Sequence, residues 1–381
     1  MKILYDYQAF VMQKFGGVSR CFAELVKHLP LGVDFDLGVR ESDNAYIQDI
    51  AGVKPLGYKF QHFICNYNFK GKWQLHKLYD KIIGGHYYPN YNHSMIVEAL
   101  DKGNYDIFHP TFFNDYFLQH LKGKPFVLTI HDMIPEKYPQ YFPRDDFQII
   151  KKRKLAKLAN AIIAVSENTK KDIIDILNIT EEKIHVVYHG CSFPVFSNPK
   201  KLIEKPYILH VGTRNLYKNF NLFIKHSLPF LRNHPDILIV CTGPSFSGEE
   251  SKILSDYKIE DRVIHYWAQT DEELFSLYHN AICFAYPSEY EGFGIPILEA
   301  YTSECPVLLN RSSCFPEIAG DAAVYFKMDD KSSNICEKLE YINSMSNDER
   351  RQLLNKQNKR LKLYSWEKSA KQLSDVYKSL M

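Results

Sequence analysis

The stretch Ser288-Glu289-Tyr290-Glu291-Gly292-Phe293-Gly294-Ile295-Pro296-Ile297-Leu298-Glu299-Ala300 places carboxylates, glycines and a proline where an anion and hydroxyl groups could be bound together. It follows an apolar run and opens a segment of helical period. Pro296 suits a first helical turn, where the amide it lacks would have no partner anyway. Gly292 and Gly294 let the backbone approach a ligand closely, and the helix start behind them offers free N–H groups and a positive dipole end. An anion is expected at this turn, with Glu291 and Glu299 accepting hydrogen bonds from sugar hydroxyls beside it. Phosphate together with a polyol describes a sugar nucleotide. A Gly-rich turn with two surface glutamates is the plainer alternative.

Other stretches carry compatible chemistry. In Phe15-Gly16-Gly17-Val18 the glycines come after the first apolar run and before a helical pattern containing Phe22 and Leu25. Their amides could hold a phosphate or sugar oxygen, and a tight strand-to-helix turn is consistent with the same residues. Ile130-His131-Asp132 closes an apolar run at the end where parallel sheets bind ligands; a core histidine satisfied by backbone is the alternative for His131. Lys218 stands at the start of a helical pattern, where a cation is disfavoured unless an anion compensates. Arg214 either supplies a second cation or points elsewhere. Cleaving a sugar–phosphate bond leaves a diphosphate whose growing charge must be met, and Lys, Arg and helix N-termini are the groups that can do so without a metal. There is no HExxH and no clustered Cys/His quartet, so no metal is expected.

The spacing of Glu291 and Glu299 resembles the EX7E signature of retaining glycosyltransferases. The resemblance extends along most of the chain: the glycine pair at 16 and 17, Ile130-His131-Asp132, Ala164-Val165-Ser166, Val211-Gly212-Thr213 through Lys218-Asn219, and the Glu291-Gly292-Phe293-Gly294 segment occur in the order of a family 4 glycosyltransferase. It implies the GT-B fold, an α/β architecture of two doubly wound Rossmann-like domains facing across a cleft. It also implies a metal-independent, cofactor-free transfer of a hexose from a nucleoside diphosphate sugar to a saccharide or lipid-linked acceptor, in cell-surface polysaccharide synthesis.

On that resemblance Glu291 orients the donor sugar, Glu299 holds the ribose, and Lys218, with Arg214, stabilises the leaving diphosphate. His131 contacts the donor sugar at the reacting centre, and Gly17 helps from the opposite wall. Gly292, Phe293 and Gly294 belong to the donor loop. Tyr266-Trp267-Ala268-Gln269 is where the base is stacked, although Trp267 suits a core equally well. The family usually has adjacent Arg and Lys in the 213–219 loop; Tyr217 stands where that Arg would be. Ser312 to Glu317 resembles a family turn near the cleft, with Glu317 as a cap for the following turn in the alternative reading. A phosphorylase or phosphosugar epimerase on similar twin domains, and a non-catalytic sugar-nucleotide-binding partner of another transferase, fit the same residues.

The elements that must position these groups follow from periodicity. Short β-rich runs alternate with helical segments, the pattern of parallel sheets covered on both faces. Strands are expected over 2–6, 33–39, 105–109, 126–132, 161–166 and 184–190, then over 207–212, 237–243, 263–267, 282–288 and 306–310. Between the two sets lies a polar stretch with three prolines, Cys191 to Pro206, which reads as a linker. This predicts domains over 1–192 and 193–365; the resemblance implies that the first binds acceptor and the second binds donor, with a last helix over 366–381 crossing back to the first. Ser166 and Ser365 are the expected N-caps of two of the helices, the second one-sided because Lys368 sits where a capping box needs Glu or Gln.

A length of 381 residues with 45% hydrophobic and 24% charged side chains suffices for two cores and excludes disorder. A net charge of +2 leaves no field aimed at nucleic acid. The eight scattered cysteines read as reduced thiols. Asp6 and Tyr7 interrupt the first apolar run, so export is not expected, and no run is long enough to cross a bilayer. A cytoplasmic location is the expectation, with peripheral contact at the inner membrane face through residues 54–93. That segment holds Lys54, Lys59, Lys70, Lys72, Lys77 and Lys81 among aromatics, and could rest on an anionic surface or bind an acceptor; simply solvated lysines are the alternative.

Overall fold

The computed structural model describes residues 1–48, 50, 53–54, 69, 71–72, 74–75, 78, 91–143, 145–214, 216–329 and 331–381. Most of the segment 54–93, for which a membrane or acceptor contact is expected, lies outside the described residues. The chain forms two compact units: residues 1–129, 150–163 and 370–381 make one, and residues 130–149 and 164–369 the other. Residues 130–149 and 164–192 thus group with the second half of the chain.

In the first unit β1 (Lys2–Tyr5) is flanked by β2 (Asp34–Leu37) and β3 (Ile107–His109), all parallel, with Ile3 opposite both Phe35 and Ile107. β4 (Val127–Ile130) and β5 (Ala161–Ala164) are neighbours, both fully buried. The helix Gly17–Lys27 follows β1 and buries Cys21, Phe22, Leu25 and Val26 on one face. The last helix, Trp366–Lys378, carries Tyr377 into this unit. Its hydroxyl lies 2.8 Å from that of Tyr5 and 2.5 Å from His109 Nδ1, while His109 Nε2 lies 2.8 Å from Thr129 Oγ1. The Tyr5, His109 and Tyr377 polar atoms buried here are thereby partnered, as burial requires.

After β6 (Ile184–Val186), the second unit holds β7 (Tyr207–Val211), β8 (Leu238–Thr242), β9 (Val263–His265), β10 (Cys283–Tyr286), β11 (Val307–Asn310) and β12 (Val324–Phe326) in one sheet. Their order is β12-β11-β10-β7-β8-β9, and every pairing is parallel. Side chains alternate between two cores, because strand residues point to opposite faces in turn. Leu209, Val240, Phe284 and Leu309 pack with the helices Asp271–His279 and Ile295–Thr302 on one face. Ile208, Ile239, Cys283 and Leu308 pack with Phe220–Asn233 and Ile335–Asn343 on the other. The strand order reverses between β7 and β10, so the loops leaving their carboxyl ends diverge there, which is where open α/β sheets bind ligands.

β12 was not among the expected strands. It is only three residues long, and Val324-Tyr325-Phe326 has no period of its own; pairing with β11 makes it a strand. Ser166 caps the helix Glu167–Leu177 as expected, its Oγ accepting from Thr169 N–H at 3.0 Å. Ser365 Oγ accepts from Lys368 N–H at 3.3 Å. All seven described cysteines are free thiols. Among the described residues no helix is long and apolar enough to cross a membrane.

Candidate functional site

Lys218 and Glu291 meet at the switch point of the second unit's sheet. The loop after β7 ends in a single tight turn, Leu216–Lys218, with Leu216 and Asn219 in the left-handed region. The loop after β10 carries Glu289 to Gly294. Glu289 N–H donates to Tyr217 C=O at 2.8 Å, binding the loops together. Lys218 Nζ then lies 2.6 Å from Glu291 Oε1, with 16% and 11% of the two side chains exposed. Burial pulls the Lys218 ammonium down, but the Glu291 and Tyr217 side chains outweigh it and hold its pKa above the ordinary value. The Nζ also sits 5.0 Å from the Tyr217 ring centroid.

Arg214, expected as a second diphosphate cation, is committed elsewhere. Its Nε donates to Glu250 Oε1 at 2.8 Å and its Nη2 to the carbonyls of Pro244 and Ser245 at 2.7 and 3.0 Å. Phe220 and Phe246 flank the guanidinium, and only 2% of the side chain is exposed. Glu250 is partly buried, which raises its pKa, yet bonds from Arg214 and the Ser247 amide hold it below the ordinary value. The guanidinium's planar fork fits a carboxylate and converging carbonyls, so this arginine fixes the capping box of the helix Gly248–Asp256.

The glycine loop also differs from expectation in one place. A Cβ at Gly292 would collide with the carbonyl oxygen of His131, so the protein's own backbone explains this glycine without a ligand. Gly292 C=O accepts from Ser166 Oγ at 2.7 Å. Gly294 has a φ of +91° as the N-cap of Ile295–Thr302, a conformation that favours glycine. Phe293 is a core residue at 4% exposure, packed against His189 and Tyr364, so its side chain supports the loop from behind. Glu299 is buried at 7%, its Oε2 3.4 Å from the Tyr278 hydroxyl. Trp267 is 60% exposed, which excludes the core alternative and leaves its ring face open. His131 stands 5.7 Å from His189, whose pKa is driven well below the ordinary value by burial and by His131. Gly17, in the first unit, opens its helix with nothing within 4 Å of a would-be Cβ, so packing does not require glycine there.

Sequence reasoning missed a network behind Glu291. Tyr290 donates to Asp172 Oδ2 at 2.5 Å, Lys137 Nζ pairs with Asp172 Oδ1 at 2.6 Å, and Asn168 Nδ2 reaches Asp172 Oδ2 at 3.1 Å. Tyr138 stacks on Tyr217 at 6.1 Å and meets Tyr290 edge-on. Glu317 caps a different helix from the one considered, accepting from the Glu167 and Asn168 amides at 2.7 and 3.1 Å. No spacing rule points to partners this far apart in the chain.

A parallel sheet with a charged pair at its switch point defines a ligand-binding α/β fold, and comparison with known proteins narrows it. Residues 195–362 match the model of Glycosyl transferases group 1, and residues 15–192 that of Glycosyltransferase Family 4. The chain belongs to the family 4, group 1 glycosyltransferases. It is 30% identical over 206 residues to the O-antigen chain mannosyltransferase RfbU of Salmonella typhimurium, covering 54% of this chain and 58% of that protein. The match therefore spans little more than half of that relative. With the O-antigen chain mannosyltransferase B of Escherichia coli it shares 28% identity over 286 residues, covering 70% of this chain and 73% of the relative. Among solved structures, sucrose-phosphate synthase of Thermosynechococcus elongatus superposes with a TM-score of 0.71 at 17% identity, over 100% of this chain and 98% of that one. The Anabaena protein Alr3699/HepE, solved with UDP and glucose, gives 0.71 at 15% identity over 99% of both. The fold is GT-B.

Proposed function

We propose that the chain transfers a hexose, mannose first among candidates, from a nucleoside diphosphate donor to a hydroxyl of a growing saccharide or lipid-linked acceptor, with retention and without a metal. The observation that carries this is the buried Lys218–Glu291 pair beyond the ends of β7 and β10. The names of the two O-antigen mannosyltransferases support the sugar and the polysaccharide context. Retention rests on the family resemblance.

In this reading the donor diphosphate takes Lys218 from Glu291. The ammonium meets the charge that grows on the leaving group, and the freed Glu291 carboxylate accepts from a hydroxyl of the sugar. An ammonium suits this exchange because it is a point charge that can turn between partners, unlike a guanidinium locked in a fork. Glu299 holds the ribose, the open Trp267 ring stacks on the base, and His131 lies against the donor sugar. Gly17 contributes its amide. The work takes place in the cytoplasm at the membrane face, where lipid-linked acceptors are found.

The test is release of nucleoside diphosphate from GDP-mannose, and from UDP- and ADP-sugars, with and without a saccharide acceptor. Release that depends on the acceptor and survives EDTA is expected. Tight binding of donor without turnover across acceptors would replace this reading by a non-catalytic one, and loss of activity on chelation would restore a metal.

A further inference from the structure

A groove of about 620 Å³ opens on the second unit beside the Lys218–Glu291 pair, and none of the roles above uses it. It lies beyond the carboxyl ends of β7, β10, β11 and β12, because Asn219, Glu289, Arg311 and Lys327 on its wall each follow one of those strands. Its volume falls within the range of roughly 300–1,000 Å³ usual for small-molecule sites. Two of its lining residues belong to the loops of the reacting pair: Asn219 follows Lys218 directly, and Glu289 stands two places before Glu291. An occupant of the groove is therefore held by the same loops that present Lys218 and Glu291.

The lining chemistry selects the occupant. Arg311 and Lys327 only donate hydrogen bonds, and among the described residues neither forms an ion pair; Arg311 is steadied 5.3 Å from the Tyr325 ring. Glu289 and Asp329 only accept, and Asp329 Oδ1 already accepts from the Lys331 and Ser332 amides at 2.8 and 2.7 Å. A phosphate or other compact anion would face two carboxylates here, and an apolar ligand would strip water from four charges without replacing it. A hydroxyl both donates and accepts, so a polyol can satisfy the two kinds of group at once. Tyr141, 39% exposed and stacked on Tyr138, adds an amphipathic ring on the same wall.

We infer that this groove binds the acceptor saccharide, holding sugar units of the growing chain through Arg311, Lys327, Glu289 and Tyr141 while the terminal hydroxyl is presented to the donor. This rests on the transferase reading above and adds to it where the acceptor runs. It places part of acceptor recognition on the second half of the chain rather than wholly on the first.

The experiment uses the full chain with saturating GDP or UDP and a panel of mannose-, glucose- and galactose-containing disaccharides, observed by saturation-transfer NMR and by the acceptor dependence of turnover. Arg311 and Lys327 are both exposed, so Arg311→Ala with Lys327→Ala should leave the melting temperature unchanged. The expected result is disaccharide binding in the parent chain and at least tenfold weaker binding in the double variant, with nucleotide affinity held within about twofold and the acceptor KM raised more than kcat is lowered. Equal saccharide binding in parent and variant overturns the proposal, as does absence of binding across the panel, or displacement of the saccharide by inorganic phosphate. Failure of the parent chain to bind any nucleotide overturns the donor reading instead, and the two failures are thereby told apart.

Discussion

Two basic–acidic pairs, both anchored in the loop after β7, show opposite uses of the same charges. Arg214–Glu250 and Lys218–Glu291 have similar lengths, 2.8 and 2.6 Å, and are both largely buried. Arg214 places Nε and Nη2 on a carboxylate and two backbone carbonyls between two rings, with Nη1 buried and unpartnered, and a ligand taking Nε and Nη2 would dismantle the start of a helix. Among the described residues Lys218 pairs with the Glu291 carboxylate at the switch point of the sheet, and in the proposed function the donor diphosphate takes that partner's place. Proximity of a cation to a binding loop therefore does not make it a binding group. What decides is whether its partners are fixed backbone or an exchangeable side chain.

The largest expected effect falls on the structural pair. Arg214→Leu leaves Glu250 without its counter-charge and should cost about 3–5 kcal/mol of stability, seen as a large drop in the melting temperature. A variant with parent stability and lost nucleotide affinity would reverse the comparison and make Arg214 a ligand. Lys218→Ala should lower kcat by roughly 10²–10³, the usual consequence of losing one group that meets developing charge. Unaltered kinetics would remove Lys218 from the mechanism.

A third test reads both cations at once. His210 is fully buried, and burial, then Arg214 and Lys218, push its imidazole from 6.5 to about 3. The unfolded chain takes up a proton below about pH 6.5 while the folded one does not until about pH 3, so stability falls as the pH is lowered through that window. About 2 kcal/mol should be lost by pH 5, and His210→Gln should flatten the slope in pH-dependent unfolding. An equal slope in both proteins would assign acid sensitivity to another group. The smallest effect is expected at Trp267, which touches neither pair. Trp267→Ala should leave the melting temperature alone and weaken nucleotide binding by about tenfold if its open ring stacks on a base. Unchanged affinity by calorimetry would leave the ring unassigned.

Much of this was legible before the structure. Eleven expected strands correspond to β1 to β11, because fully buried parallel strands are continuous apolar runs bounded by turn residues. β12 was missed; the helices Tyr91–Lys102 and Phe147–Leu158 were expected only as helical segments between strands, without bounds, and Ile335–Asn343 and Asn347–Leu361, beyond the last expected strand, were not placed. At the site, Lys218 and Glu291 were singled out separately, one from an unfavourable charge at a helix start and the other from a Gly-rich turn. The Tyr290–Asp172–Lys137 network left no trace, since its members come from three distant segments and none is unusual where it stands.

The sequence by itself determined the α/β class, the alternation that builds the sheet, and the residue types at the candidate site, because periodicity, capping and turn chemistry act over a few neighbouring positions. Only the tertiary structure decided partnership. It gave Arg214 to Glu250 and Lys218 to Glu291, explained Gly292 by the His131 carbonyl, and opened a groove beside them. The physical reason is that a charge takes the partner that chain folding brings within about 3 Å in a water-poor site, and that distance is written in no local pattern.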